Sequence, residues 1–286
     1  VFTEMVSCNG LVRDGRKTLE LVTSCPEERP LGIQVFGGDA DVVAEGVRRI
    51  EQYGDLIDLN LGCPVNKVVR GEAGSALLRQ PLRVAAIIRA MRQATSRPLT
   101  VKIRAGWDAA SINFLEIGRI AQEQGADAVT LHPRTRAQGF GGKADWNMIG
   151  ELKQALDIPV IGSGDIQRAD DALAMMRQTG CDAVMIGRGG YGNPWLVAEI
   201  LARLDHRPFS GPAPEDRLKV ALRHLAYHRD YAGEKKTVFE MRKHLCWYSR
   251  GLAGAATFRQ HINRIDDLDT LLKAVRTFFT GQEAGN

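Results

Sequence analysis

The chain has 286 residues, 44% of them hydrophobic and 25% charged, which excludes a disordered or low-complexity protein and allows one or two packed domains. No apolar run approaches the roughly 20 residues that span a bilayer, so no membrane partner is expected. The formal charge is only +4 and the five cysteines are scattered without a Cys-x-x-Cys pair, which points away from a disulfide framework or a metal centre and toward a reducing cytoplasm.

In chain order, short β-rich runs alternate with amphipathic stretches. Strands are predicted at Val1–Ser7 and Leu31–Phe36, then a helix over Val42–Gln52 and a strand at Leu56–Asn60. A helix over Leu82–Ala94 leads to a strand at Leu99–Arg104, and a helix over Phe114–Gln124 to a strand at Ala128–His132. The pattern repeats with a helix over Trp146–Ala155, a strand at Pro159–Gly162, a helix over Asp170–Gln178 and a strand at Ala183–Gly187. Repeated βα units imply an α/β protein with a parallel sheet.

Glycine placement favours a barrel. Gly162-Ser163-Gly164-Asp165 follows the sixth predicted strand and Gly187-Arg188-Gly189-Gly190 the seventh. Paired glycine-rich turns after the last two strands form the phosphate cradle of an eight-stranded βα barrel, because glycine lets backbone amides approach the anion. The fold expected is a (β/α)8 TIM barrel. Only seven strands are read, and the chain opens inside what reads as the second. A first βα unit of roughly 25–35 residues is therefore expected to be missing from it.

Near His206–Pro214 three prolines and a glycine fall within nine residues, the signature of a linker. Beyond it, Glu215–Tyr231, Thr237–Ser249, Ala256–Ile262 and Leu268–Phe279 read as helices. The organisation expected is a barrel domain over 1–207, a linker at 208–214 and a small all-helical domain over 215–286.

Asn60-Leu61-Gly62-Cys63-Pro64 ends the Leu56–Asn60 strand abruptly. Proline disfavours helix at the residue before it, so Cys63 is expected in an extended or turn conformation at a strand's carboxyl end, where α/β enzymes keep their chemistry. The bland alternative is a small buried cysteine that only packs. Gln34, Lys102, Arg104, His132 and Arg134 fall at strand ends on the same predicted face. Lys102 would point into a barrel and need an anionic partner. With the two glycine-rich turns, these residues describe a pocket for a phosphorylated cofactor with an electron-rich ring.

The whole chain resembles the bacterial tRNA-dihydrouridine synthases, in the B class that includes the nitrogen-regulation-linked members. The matching stretches are Thr3-Glu4-Met5, Gln34-Val35-Phe36-Gly37, Asp58–Pro64, Gly71–Leu78, Val101–Arg104, Leu131–Arg136, Gly162–Ile166 and Met185–Gly189, with Met241–His244 and Phe258–Ile265 in the C-terminal part. The resemblance implies a flavin-dependent oxidoreductase with FMN as cofactor and NADPH or NADH as reductant. The reduced flavin delivers hydride to C6 of a D-loop uridine in tRNA, and a cysteine, matched by Cys63, protonates C5. It also implies flavin-ring and ribityl contacts from Gln34, Lys102 and His132, a contact from Asn60 to the flavin or the target base, and a phosphate cradle of Ser163, Gly164, Asp165, Gly187 and Arg188. Arg134 and Arg136 are expected to guide the RNA backbone. The family's opening Pro-Met-Ala-Gly segment is absent, its His-Gly-Arg-Thr reads His132-Pro133-Arg134-Thr135, and its Asn-Gly-Asp reads Ser163-Gly164-Asp165.

Charge placement supports an RNA partner independently. From Pro214 onward there are 13 Lys and Arg against 9 Asp and Glu, leaving 25 of each before it. Within Lys235–Arg264 seven basic residues face a single acid, Glu240. Lys235, Lys236, Arg242 and Lys243 are the expected phosphate contacts. The interleaved Phe239, Trp247, Tyr248 and Phe258 read mostly as the helical core. A monomer without a metal is expected. The alternatives are a flavin barrel acting on a free pyrimidine or other small molecule, and an RNA-binding protein with a vestigial barrel.

Overall fold

The structure is a computed structural model that describes residues 1–13 and 15–281. The last residues of the expected helical domain, 282–286, lie outside the described residues. Seven strands form one parallel sheet in sequence order. They are β1 (Val6–Ser7), β2 (Gly32–Phe36), β3 (Leu56–Asn60), β4 (Leu99–Arg104), β5 (Ala128–His132), β6 (Val160–Ser163) and β7 (Ala183–Met185). Among the described residues no pairing joins β1 to β7.

The strand predicted over Val1–Ser7 is shorter than expected. Only Val6–Ser7 pairs as a strand, and Phe2 makes a single bridge to Gly32. Between them the Thr3 hydroxyl accepts the Gln34 amide at 3.2 Å, so a side chain replaces a ladder bond and the strand is interrupted. The last strand also stops early, at Met185, because Arg188–Gly190 turns into a short 3-10 segment.

Helices follow the strands. They include α1 (Cys8–Val12), α2 (Arg16–Glu20), α3 (Ala40–Ile50), α4 (Asn66–Arg70), α5 (Pro81–Ala94), α6 (Phe114–Glu123), α7 (Asn147–Ala155), α8 (Ala169–Thr179) and α9 (Trp195–Leu204). Asp39 caps α3 by accepting the Val42 amide at 3.0 Å, and Pro81 opens α5 where its missing amide costs nothing. Val43, Val47 and Ile50 of α3 and Val84, Ile88 and Met91 of α5 repeat at helical spacing, and all are fully buried. α3 lies on β2 and α6 on β4 and β5, and Ile33, Val35, Ile57, Leu59, Val101, Ile103, Val129 and Leu131, every second residue of their strands, are fully buried. The alternate positions carry Gln34, Asp58, Asn60, Thr100, Lys102, Thr130 and His132, so the strands' second face is polar.

The chain divides into two compact units, Val1–Asp165 with Ala174–Met185, and Ile166–Leu173 with Ile186–Asn286. The second unit carries α10 (Pro214–Ala232), α11 (Glu234–Tyr248), α12 (Ala255–Ile262) and α13 (Leu268–Thr280). Its core joins Ala221 and Leu225 of α10, Val238, Met241 and Leu245 of α11, Phe258 and Ile262 of α12, and Leu271, Val275 and Phe279 of α13. Phe258 stacks on Phe278 at 4.1 Å, so this aromatic is core as expected. Among the described residues no helix is long and apolar enough to cross a membrane.

Candidate active site

Parallel pairing lines up the polar row of the first unit. Gln34 pairs with Asp58, Asp58 with Thr100, Asn60 with Lys102, and Lys102 with Thr130. Residues on one strand face recur every second position, so this register gathers their side chains into one layer. Asp58 accepts from Gln34 Nε2 at 2.6 Å and from the Thr100 hydroxyl at 2.6 Å. Gln34 Oε1 in turn accepts from Asn60 Nδ2 at 2.7 Å.

That chain of bonds fixes Cys63. With its amide donating to Gln34, Asn60 must present Oδ1 to the backbone, and Oδ1 accepts the Gly62 amide at 3.0 Å and the Cys63 amide at 2.8 Å. The Cys63 carbonyl accepts the Ser75 hydroxyl at 2.8 Å. Cys63 is 6% exposed and packs with Val68 and Ala73, against Met5 and Phe36. Gly74 sits beside it at φ +59°, where an added Cβ would come within 3.2 Å of the Cys63 Cβ. Both ends of the Cys63 peptide are thus clamped, and the thiol is held at the strand exit with little freedom.

Burial sets the charges of the layer. It pushes the Asp58 carboxyl up to about 6, against the pull of its Thr100 and Gln34 bonds and the nearby Lys102 charge. Burial also brings the Lys102 ammonium down to about 8, despite Asp58. Among the described residues the Lys102 ammonium makes no hydrogen bond or salt bridge, which leaves a largely desolvated cation with the nearby Asp58 carboxylate as counter-charge. Arg104 donates to the carbonyls of Gly62, Thr135 and Gly139, at 2.7, 3.1 and 2.9 Å, and ties the β3, β4 and β5 exits together.

His132 ends β5 and is held neutral. Burial, then the Lys102, Arg104 and Arg134 charges, bring its imidazole down to about 3. Arg134 Nη1 lies 3.2 Å from His132 Nε2. A guanidinium can only donate, so Nε2 accepts and the ring's single proton is on Nδ1. Gly164 makes the ring's position possible, since an added Cβ there would come within 2.9 Å of His132 Cδ2.

Arg134 does not have the role expected of it. It is 2% exposed and donates to both oxygens of Asp165 at 2.9 and 2.7 Å and to the carbonyls of Gly141 and Gly142. An arginine engaged on all sides inside its own unit anchors loops, and these bonds occupy the guanidinium that was expected on the RNA backbone. Asp165, at φ +58°, also accepts the Ala144 amide at 2.8 Å. Its carboxylate holds loops, so any phosphate at Ser163–Asp165 would meet backbone amides, not that side chain. Arg136 is half-buried, with its guanidinium 4.5 Å from the centre of the Trp107 ring.

These residues fit the expected FMN. The unpartnered Lys102 cation suits an electron-rich or anionic ring, and the neutral His132 offers an Nδ1–H. Gly187 and Arg188 lie in the second unit, where a Cβ on Gly187 would meet open space. Among the described residues no group of three or more His, Cys, Asp or Glu could hold a metal ion.

Of the expected RNA contacts, Lys235, Lys236 and Lys243 are exposed. Arg242 is partly engaged, donating to the Ile265 carbonyl and lying 4.6 Å over Phe239. The sequence reading missed Asp58, Thr100 and Ser75. An acid at alternate spacing from Asn60 in an otherwise apolar strand was the available signal for Asp58. Ser75 gave none, because its role comes from a loop folding back on Cys63.

A family model described as Dihydrouridine synthase (Dus) matches residues 1–283. A protein from Synechocystis sp. named "Probable tRNA-dihydrouridine synthase 1" is 39% identical over 97% of this chain and 79% of its own length. A Pseudomonas aeruginosa protein named "tRNA-dihydrouridine synthase B" is 38% identical over 99% of this chain and 86% of its own length. A Mycobacterium tuberculosis protein named "Probable tRNA-dihydrouridine synthase" is 41% identical over 94% of this chain and 72% of its own length.

Proposed function

The chain belongs to the dihydrouridine synthase family, and on that premise we propose that it reduces the C5–C6 double bond of a D-loop uridine in tRNA, in the cytoplasm, with FMN as cofactor and NADPH or NADH as reductant. The relatives' names, which specify tRNA, support the substrate. The observation that carries the chemistry is the buried Cys63 thiol, clamped at both ends of its peptide by Asn60 and Ser75.

When bound, FMN supplies the hydride for C6. Cys63 holds the proton for C5; its S–H bond breaks as the new C–H bond forms, and the thiolate regains a proton from solvent. Arg104, within electrostatic reach of Cys63, stabilises that transient thiolate. Gln34, Asn60, Lys102 and His132 would hold the ring and ribityl chain, with the Lys102 cation balancing negative charge on the ring. Backbone amides of Ser163, Gly164 and Asp165 would hold the phosphate, and Gly187 and Arg188 take the same role by resemblance. Arg136, Lys235, Lys236, Arg242 and Lys243 are proposed to meet the tRNA backbone.

The test is dihydrouridine formation, read by mass spectrometry, from an unmodified tRNA transcript with FMN and NADPH, beside a free-uridine control. Product is expected in tRNA alone. Cys63→Ala should lower the rate by about 10²–10⁴ while NADPH still bleaches the flavin. Undiminished turnover would remove Cys63 from the reaction. Comparable turnover on free uridine would favour a small-molecule oxidoreductase.

A further inference from the structure

The second unit contains a cavity of about 430 Å³ lined by residues of that unit alone. This lies within the roughly 300–1,000 Å³ typical of small-molecule sites. Its wall is cationic. Arg217 and Arg250 line it against one carboxylate, Glu199, which is already paired with Arg203 at 3.0 Å. Arg217 is held in place from behind, donating from Nη1 to the Arg250 carbonyl at 2.9 Å. Its Nε is closed to solvent and has no hydrogen-bond partner among the described residues.

The same cavity carries an aromatic platform. Tyr191 stacks on Trp247 with ring centres 4.4 Å apart and planes 14° from parallel, yet Tyr191 is 49% exposed. The arrangement is built into the backbone. Gly192 has φ +73°, and an added Cβ would come within 2.4 Å of the Trp247 backbone. Only glycine lets this loop lie against α11 and set the two rings face to face. Trp195 adds a further indole to the lining.

Guanidinium groups, one of them held in place, that face a single, already paired acid recognise a phosphate. A preset, half-exposed aromatic plane recognises a flat, electron-rich ring. A lipid headgroup or inorganic phosphate uses the first feature only. A nucleotide uses both. We propose that this cavity is a nucleotide-binding site, with the phosphate on Arg217 and Arg250 and the base against Tyr191. Two sources share that chemistry, a single-stranded nucleotide of an RNA and a free nucleotide such as the dinucleotide reductant. The cavity's chemistry is read from its own lining; the RNA and the dinucleotide reductant as its sources rest on the reaction proposed above.

Trp247 and Trp195 make the site readable by their fluorescence. Adenosine 5′-monophosphate is expected to quench the full protein's emission, with adenosine or inorganic phosphate alone at least tenfold weaker. Arg250→Glu and Tyr191→Ala should each weaken that binding at least tenfold, while Cys63→Ala leaves it unchanged. Arg250 is exposed and its side chain holds no other element, so its variant should keep the parent's circular dichroism and unfolding midpoint. Titrations with a short single-stranded RNA and with NADP⁺ then identify the source, as the ligand whose affinity falls in Arg250→Glu. Absence of quenching by any of these nucleotides, or affinities indifferent to both variants, would overturn the site. Nucleotide binding that persists in a protein unable to make dihydrouridine would refute the proposed reaction and leave this site standing.

Discussion

The polar layer of the strand unit and the cationic surface of the helical unit use charge in opposite ways. In the first, Gln34, Asp58, Asn60 and Thr100 are joined by hydrogen bonds of 2.6–2.7 Å, and each fixes its neighbour's orientation. In the second, Lys235, Lys236 and Lys243 are exposed and form no salt bridge among the described residues. Of the acids nearest them in sequence, Glu234 and Glu240, Glu240 is bonded to His228 Nε2 at 2.9 Å. Burial makes the identity of one atom decide the next atom's partner. Exposure makes only the sum of charges matter. Damage to the first should appear as lost stability or chemistry, and damage to the second as lost affinity.

Arg134 tests that division most severely, because by sequence it belonged with the RNA contacts and by structure it belongs with the buried network. Arg134→Met removes the donor to the Gly141 and Gly142 carbonyls and the fork to Asp165, whose Oδ2 keeps the Ala144 amide. Losing the fork to a partly exposed carboxylate and two carbonyl bonds, each bond to a charged group worth about 1.5–3 kcal/mol, should cost about 3–5 kcal/mol in urea unfolding. Arg134→Lys should recover little of it, since a single ammonium cannot reproduce the two-oxygen fork to Asp165. Folded protein should show an unchanged salt dependence of tRNA binding. Full stability with a weaker salt dependence would return Arg134 to the RNA surface.

Asp58 gives a smaller effect with a characteristic pH signature. Its carboxyl is raised to about 6 in the fold from an ordinary 3.8, so the fold favours the protonated form. Its contribution to stability is complete below about pH 4 and is lost as pH rises through about 6. Each pH unit of displacement is worth about 1.4 kcal/mol, giving about 3 kcal/mol across the window. Lys102, lowered to about 8, acts in the other direction, contributing at high pH and losing that contribution as pH falls through about 8. Between about pH 6 and 8 both groups are charged, Asp58 fully buried and Lys102 half-buried, and each is the other's nearby counter-charge. Asp58→Asn removes the acidic limb, so its stability relative to the parent should improve steadily from pH 4.5 to 7. A difference that stays flat over that range would show that Asp58 titrates normally.

Much of this was legible in the sequence because it repeats. The strands at Leu56–Asn60, Leu99–Arg104 and Ala128–His132 lie where alternation put them, since a buried parallel strand needs a continuous apolar face. Cys63, Lys102 and His132 were legible as polar residues breaking that pattern at strand ends. What stayed hidden depends on the third dimension. Thr3 ends the first predicted strand by offering its hydroxyl to Gln34, a residue 31 positions away. Arg134 and Asp165 are likewise 31 apart, and nothing local marks them as partners. An arginine two residues from a catalytic-looking histidine reads the same whether its guanidinium faces solvent or carbonyl oxygens.

The helical surface should give the mildest phenotype, and a selective one. Lys235→Glu, Lys236→Glu and Lys243→Glu together replace three exposed side chains with no structural partner, so each should change stability by no more than about 0.5 kcal/mol. Lysines that bind phosphates release counterions, so every phosphate a variant no longer neutralises should flatten the slope of log affinity against log salt by about 0.7–0.9. The triple variant should thus bind tRNA more weakly at low salt and converge on the parent as salt rises, with flavin content unchanged. The comparison turns on that convergence. A deficit equal at all salt concentrations would mean that these lysines act through a fixed contact, as the buried layer does. An unaltered slope would move the phosphate-binding surface to other residues, with Arg136 the first to examine, since its guanidinium already lies over Trp107.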